Sequence, residues 1–374
     1  MSLEQTPQRR KLFLIAGEAS GDLYGGQLVE ALLLLDPHLE IRGWGGEAME
    51  ASGASISTHY RELAFMGFWE VLKNLKTIRR NLKRCTEEIH SFQPDAFVGI
   101  DFPGFNLRVA ANVGKAGIFT HHYISPSIWA WNARRIHRIK RTVQRMHVTM
   151  PFELAPYEAA QMDVRFVGHP LISLLDQLPD RNLDIKTSLP ILALLPGSRT
   201  QELKHMLPLM VQTARSLPQF QPVIAGAPGQ TASAYQEATA LGIPVVFNQT
   251  RALMKNAAVG LVTSGTATLE ASLFGLPQVI CYRTSRLTYQ IAKRLAQVDW
   301  IGLPNIILNK SIVPERIQEA CNVFALSEEV QRLHDGTDWT ALGRQQKELA
   351  TSLRTILGSE AAASNTAASI MERL

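Results

Sequence analysis

The chain has 374 residues, 46% hydrophobic and 19% charged, with 38 Lys and Arg against 33 Asp and Glu for a net charge of +5. At roughly 150 residues per domain this length suits two domains, and 25 Gly with 19 Pro is too ordinary a content for a disordered, collagenous or mucin-like chain. No apolar run approaches the ~18 residues that span a bilayer, and the opening apolar stretch is too short for an export signal, so a cytoplasmic location is expected.

Residues 12–16 read as a buried strand, followed by a Gly/Ser loop and a helix over about 22–35. Further strands are predicted at 41–44, 96–100, 119–123, 146–149 and 164–167, most of them separated by helical patterns. Short apolar runs interleaved with helices signal a parallel sheet with both faces covered, which makes residues 1–170 a Rossmann-like α/β domain. A polar stretch carrying Pro170, Pro179 and Pro190 makes 171–190 a linker. Strands at 191–195, 222–225, 245–247, 259–262 and 278–282 then make 191–314 a second Rossmann-like half. From 315 to 374 the pattern is helical. That length exceeds what one half requires, so the segment is expected either to cross back to the first domain or to be exchanged between two copies in a homodimer. Three cysteines, Cys85, Cys281 and Cys321, with no CxxC pair, fit a reducing compartment and give no zinc framework.

The charge is unevenly placed. Between Arg61 and Arg84 seven basic residues face two acids, and between Asn132 and Met146 there are six basic residues and no acid. One positive face on the first domain results, directed at phosphorylated ligands, anionic lipid head groups or nucleic acid. Nucleic acid is not expected as a partner, because no recognisable binding module accompanies the charge. The first tract is amphipathic. Phe68, Leu72, Leu75, Ile78 and Leu82 form one helical stripe, and Trp69, Lys73, Lys76, Arg80 and Lys83 a second, almost wholly basic one about 100° away. With Phe65 and Met66 at its start, the set Phe65, Met66, Phe68, Trp69, Leu72 and Leu75 is a candidate monotopic contact with an anionic membrane surface and with acyl chains. The plainer reading packs the stripe on the sheet and lets the basic stems snorkel.

Ligands of a doubly wound sheet bind beyond the carboxyl ends of its strands, so the loops there carry the candidates. In the loop 17–22, Ser20 reads as a helix cap or a cleft residue, while Glu18 and Asp22 suit a helix start but would repel phosphate, placing them toward sugar hydroxyls or the cleft wall. Asp101 ends an apolar strand, where low-dielectric surroundings can raise a carboxyl into the working range of a general base; Glu18 is counted with it as a catalytic candidate. Ser125 and Trp129 belong to a loop rich in Ser and Trp that either packs or lines a cleft. His121 and His122 point to opposite faces of one strand and cannot share an ion. In the second half, Arg199 follows Gly197 at a strand–helix turn and offers a permanently charged fork for a diphosphate. Ser264, Gly265 and Thr266 offer backbone and hydroxyl donors, and Glu270 can accept from a ribose diol. Neither a D-x-D triplet nor a Walker pattern occurs, so no metal and no cofactor is expected.

The strings GEASGD, LAFMG, GIDFPGFN, YISPSIWAW, VGHP, LLPGSR, SGTATLE, KRL and LPN, in that order from about residue 12 to 310, resemble the lipid-A-disaccharide synthase family. The resemblance implies an inverting, metal-independent GT-B glycosyltransferase. Its donor would be UDP-diacylglucosamine, its acceptor diacylglucosamine 1-phosphate (lipid X), and UDP would leave. It also implies that Asp101 is a candidate general base and that Arg199, Glu270 and Asn305 belong to the donor side. Reaction is then expected in the interdomain cleft, with closure around the linker. The family commonly carries a second acid where this chain has Gly104. Two other readings fit many of the same residues: a UDP-sugar isomerase of this architecture, and a glycosyltransferase with a different lipid acceptor.

Overall fold

The computed structural model describes residues 9–63, 75–131, 133–177, 183–227, 229–358 and 361–374. The chain forms two compact units, Met1–Leu174 with Leu357–Leu374, and Leu175–Ile356.

In the first unit seven parallel strands, β1 (Lys11–Ala16), β2 (Glu40–Gly45), β3 (Ser55–His59), β4 (Ala96–Ile100), β5 (Phe119–Tyr123), β6 (Arg145–Val148) and β7 (Asp163–Phe166), lie in the order β3-β2-β1-β4-β5-β6-β7. The order reverses direction between β1 and β4, which run in register from Leu12 opposite Ala96 to Ala16 opposite Ile100. Both are buried along their length, as continuous apolar strands flanked by helices must be. The second unit repeats the plan with β8 (Ile191–Leu195), β9 (Gln221–Gly226), β10 (Val245–Phe247), β11 (Val259–Thr263), β12 (Gln278–Tyr282) and β13 (Glu315–Ile317), in the order β10-β9-β8-β11-β12-β13. Its reversal lies between β8 and β11. A sheet of this kind opens a crevice where the strand order reverses.

Three expectations are corrected. The edge strands β3 and β13 lie outside the predicted set: β3 is Ser-Ile-Ser-Thr-His, polar but for one residue, and β13 is only three residues long, so neither carries an apolar run. The segment beyond 314 is therefore not wholly helical. The stretch read as a linker begins with a helix, Pro170–Asp176, in which Leu171, Ile172 and Leu175 are buried.

The last segment does not behave as one piece. Helices Val323–Leu333 and Ala341–Leu357 lie almost wholly in the second unit, whereas Ala362–Met371 belongs to the first. There Ala363, Ala367 and Ile370 join Leu12, Leu28, Leu32, Tyr123 and Val167 in one core. Polar anchors hold it as well. Arg145, 2% exposed, donates to Asp163 at 2.7 Å and to the Ser369 carbonyl at 2.7 Å, and pairs with Glu372. His147 meets the Ser369 hydroxyl at 3.1 Å and stacks on His121. Burial holds both imidazoles below their usual range, His147 at about 3, so they pack as neutral rings.

Candidate active site

At the reversal point of the first unit, β1 delivers Gly17 and Glu18 and β4 delivers Asp101. The turn after β4 is unusual: Asp101 and Phe102 both have φ of +45°, a left-handed pair that costs energy for residues with side chains and persists where its surroundings enforce it. Those surroundings are specific. The Phe102 ring lies against Gly17, where a Cβ would come within 2.2 Å of it. Asn106, fully buried, donates to the carbonyls of Ile15, Ile100 and Asp101, and the Asp101 N–H donates to the Tyr123 carbonyl at 2.8 Å. The carboxyl is thus held at the strand end. Burial, and then the negative charge of Glu18, raise it to about 6 against the pull of the Phe102 N–H. A carboxylate so placed is basic enough to take a proton near neutrality and still ionised there.

The neighbouring acid has another task. Asp22, 4% exposed, accepts from the N–H groups of Gly46, Ala48 and Met49 at 2.7, 3.0 and 3.2 Å, so it caps the helix Glu47–Ala51 rather than facing a cleft. Ser20 is not a cap either. The helix Ala19–Leu35 begins one residue before it, with Glu18 at the N-cap position, and Ser20 is exposed in the first turn.

Beyond β5 and β6 the Ser/Trp loop is anchored. Ser125 Oγ donates to the Pro126 carbonyl and meets the Tyr157 hydroxyl at 2.8 Å. Trp129, half-buried, packs edge-on against Phe152 and donates its indole N–H to Glu153 at 3.1 Å. Glu153, which the sequence reading did not single out, is 3% exposed and raised to about 7 by burial, opposed by the Trp129 indole and the N–H groups of Met150 and Thr149. Only the apolar context of its β6 strand end could have pointed to it.

At the reversal point of the second unit the loop after β8 closes on itself. The N–H groups of Ser198 and Arg199 donate to one oxygen of Glu202 at 3.0 and 3.2 Å, a capping box that occupies those two donors. Gly197, φ +99°, is needed because a Cβ there would lie 2.4 Å from the Glu202 carboxylate; the glycine accommodates that side chain, not a ligand. Arg199 itself is 68% exposed and only loosely paired with Glu202, at 3.4 Å. After β11, Gly265 and Thr266 are exposed at the start of the helix Thr266–Leu273, and Gly265 takes φ of +152° with open space around it. Ser264 is committed, its hydroxyl donating to the Ile301 carbonyl at 2.8 Å. Glu270 is bound by Arg251 at 2.5 Å. Asn305 is fully buried and bonded to Ile312, Val313 and Glu315 through four contacts, so its amide orders a loop and has no capacity left for a ligand.

The apolar candidates Phe65, Met66, Phe68, Trp69 and Leu72 lie outside the described residues, as does the side chain of Leu75. The helix Leu75–Phe92 comes after them in the chain. Cys85, Ile89 and Phe92 on it enter the core with Leu82 against them, while Lys76, Arg79, Arg80 and Lys83 are exposed. Among the described residues no helix is long and apolar enough to cross a membrane.

Two Rossmann-like units, each a parallel sheet with crevice loops of this kind, define the GT-B class of fold. Solved structures agree: a UDP-N-acetylglucosamine 2-epimerase from Neisseria meningitidis bound to UDP-GlcNAc superposes with a TM-score of 0.64 at 12% identity, over 97% of this chain and 99% of that one. The calicheamicin glycosyltransferase CalG4 does so at 0.61 and 15%, over 98% of each chain. The sequence decides within that class. The family model for lipid-A-disaccharide synthetase matches residues 12–370. The lipid-A-disaccharide synthase of Chromobacterium violaceum is 38% identical over 90% of this chain and 91% of its own length, and that of Neisseria gonorrhoeae is 40% identical over 81% of each. The chain belongs to the lipid-A-disaccharide synthase family and is a glycosyltransferase.

Proposed function

We propose that this enzyme transfers 2,3-diacylglucosamine from UDP to the 6-hydroxyl of 2,3-diacylglucosamine 1-phosphate, with inversion, giving lipid A disaccharide 1-phosphate and UDP. The observation that carries the residue assignment is the Asp101 carboxyl, held on left-handed backbone at the reversal point and raised to about 6. Asp101 takes the proton of the 6-hydroxyl as its oxygen attacks the anomeric carbon from the face opposite the diphosphate. Glu18 keeps Asp101 basic through its like charge. On the donor side Arg199, exposed and permanently charged, meets the diphosphate as the sugar bond breaks, together with the N–H groups at Gly265 and Thr266. Trp129 supplies an aromatic wall whose orientation Glu153 fixes.

The reaction takes place at the surface of an anionic membrane, on its cytoplasmic face, with the enzyme bound peripherally. The exposed basic face of the helix Leu75–Phe92 supports this, and residues 65–72 add the apolar bulk. Replacing Phe68, Trp69 and Leu72 with Ser should reduce sedimentation with anionic liposomes and leave UDP binding intact; wild-type sedimentation of the triple variant removes the segment from the membrane contact. A homodimer formed by exchange of the segment from 357 onward is tested by light scattering, where a monomer-mass species alone rules it out.

The central test is product analysis by mass spectrometry with UDP-diacylglucosamine and lipid X, with UDP release measured in parallel and EDTA present in one arm. A disaccharide 1-phosphate with one UDP per turnover, unaffected by EDTA, is expected. UDP release without disaccharide, or a return of activity that requires Mg²⁺, contradicts the assignment.

A further inference from the structure

The basic tract at 132–146 divides when the chain folds. Arg145 is buried and paired with Asp163 and Glu372, and Lys140 donates to the Ala160 carbonyl at 2.6 Å; both are structural. Arg135 is different. It is half-buried at the N-cap position of the helix Ile136–Thr142, Arg138 lies further along that helix, and Arg108 lies on the helix Pro103–Val113. One apolar cluster draws the two helices together, with Leu107 beside Arg108, Ile136 and Ile139 beside Arg135 and Arg138, and Tyr157 among them. Burial first, and then the like charges of Arg138 and Arg108, hold its guanidinium below the usual range, against an opposing contribution from Tyr157. Among the described residues no carboxylate pairs with any of the three. A half-buried cation among like charges is unfavourable in itself and becomes favourable once an anion joins it.

The position is as informative as the charge. Arg135 interacts with Tyr157, whose hydroxyl meets Ser125 in the loop that leaves β5. β5 pairs with β4 as far as Ile100 opposite Tyr123, one residue before Asp101. The helix carrying Arg108 starts two residues after Asp101, which puts Arg108 on its second turn, roughly 7 Å along the axis from its start. Arg135, at the start of its helix, therefore lies toward the strand-end edge that holds the candidate base, with Arg108 and Arg138 about a turn further along their helices.

We propose that Arg135, with Arg108 and Arg138 beside it, binds the 1-phosphate of the acceptor while the acceptor's 6-hydroxyl faces Asp101. The inference rests on the acceptor assignment made above and adds a subsite to it. A planar guanidinium can grip a phosphate monoester through two parallel N–H bonds, and Arg108 and Arg138 balance the second negative charge.

The test compares two water-soluble, short-acyl acceptors, one with the 1-phosphate and one with a free 1-hydroxyl, on wild type, Arg135→Gln, Arg135→Lys and Arg108→Gln. Wild type should prefer the phosphorylated acceptor by about tenfold or more. Arg135→Gln should lose most of that preference through a raised KM for the phosphorylated acceptor, with KM for the donor unchanged and the rate on the free-hydroxyl acceptor within about twofold. Arg135→Lys should recover part of the preference. Arg108→Gln, at an exposed position, should lose a smaller part. Equal losses on both acceptors, or wild-type preference in both Arg→Gln variants, overturn the subsite. Loss of sedimentation with phosphatidylglycerol vesicles while the acceptor preference stays intact assigns the arginines to bilayer phosphates and also overturns it. Wild type that uses neither acceptor overturns the acceptor assignment itself.

Discussion

At the reversal point of the first unit the group proposed to act is a carboxyl, half-buried on a strained turn and raised to about 6 by burial and Glu18. At the corresponding point of the second unit it is a guanidinium, 68% exposed, on a loop closed by its own Glu202. The same strand order thus carries two opposite solutions. A proton acceptor must be tuned, and tuning a carboxyl requires taking it out of water. A phosphate-binding cation needs no tuning, because arginine is charged at every relevant pH; it needs reach, and an exposed side chain on a self-capped helix start provides it. Of the two reversal points, it is therefore the first that carries the strain and the desolvation.

The contrast can be broken by experiment, beginning with the largest effect. Asp101→Asn keeps the shape of the turn and removes the base, so turnover should fall by about 10² or more with UDP affinity retained; near-normal turnover would sink the assignment. The same variant should gain thermal stability at pH 8 and none at pH 4. The folded carboxyl titrates near 6, above its unfolded value of about 3.9, so the folded state favours the protonated form and the native charge weakens the fold only once pH rises through that interval. Arg199→Ala should weaken UDP binding by about one to two orders of magnitude, as loss of a charge-assisted phosphate contact does, with the same ratio at pH 6 and pH 8. A ratio that changes with pH would place a titrating group in the donor site and erase the difference between the units. Glu18→Gln removes the like charge beside Asp101, so the acid limb of kcat/KM should move to lower pH by less than about one unit; an unmoved limb would leave burial as the whole cause. Gly104→Asp is the mildest test. A Cβ at 104 meets open space, and an acid in the first turn of a helix is favoured by its dipole, so stability should change by no more than about 0.5 kcal/mol while the acid limb moves upward, the reverse of Glu18→Gln.

Most of the strands were legible because a buried parallel strand writes itself as an apolar run between turn residues, as Ile191–Leu195 does; the edges β3 and β13 escaped because a polar or three-residue strand has no such run. Asp101 was legible for the same reason, being a lone acid at the end of such a run. Its neighbours were harder. Asp22 and Asn305 carry the residue types of ligand-binding groups, and nothing local in the sequence reveals that their partners are the N–H groups near Gly46 and the loop at 312–315. The role of Gly197 was hidden in the same way: the glycine makes room for Glu202, five residues on. Glu153 lacked a motif, and its burial is a tertiary fact.

The placement of the helix Ala362–Met371 in the first unit bears on the order in which the protein can be completed during synthesis. A ribosome adding about 5 to 20 residues per second makes the whole of the second unit before that helix exists. For about ten seconds or longer the nascent first unit lacks the surface that covers Tyr123, His147 and Arg145, a patch both apolar and cationic. The second unit has no such wait, since its strands and the helices that cover them are contiguous in the chain. The finishing step of the first unit is thus postponed until the second unit has been made, and a chain stalled before residue 362 would carry a finished second unit and an open first one.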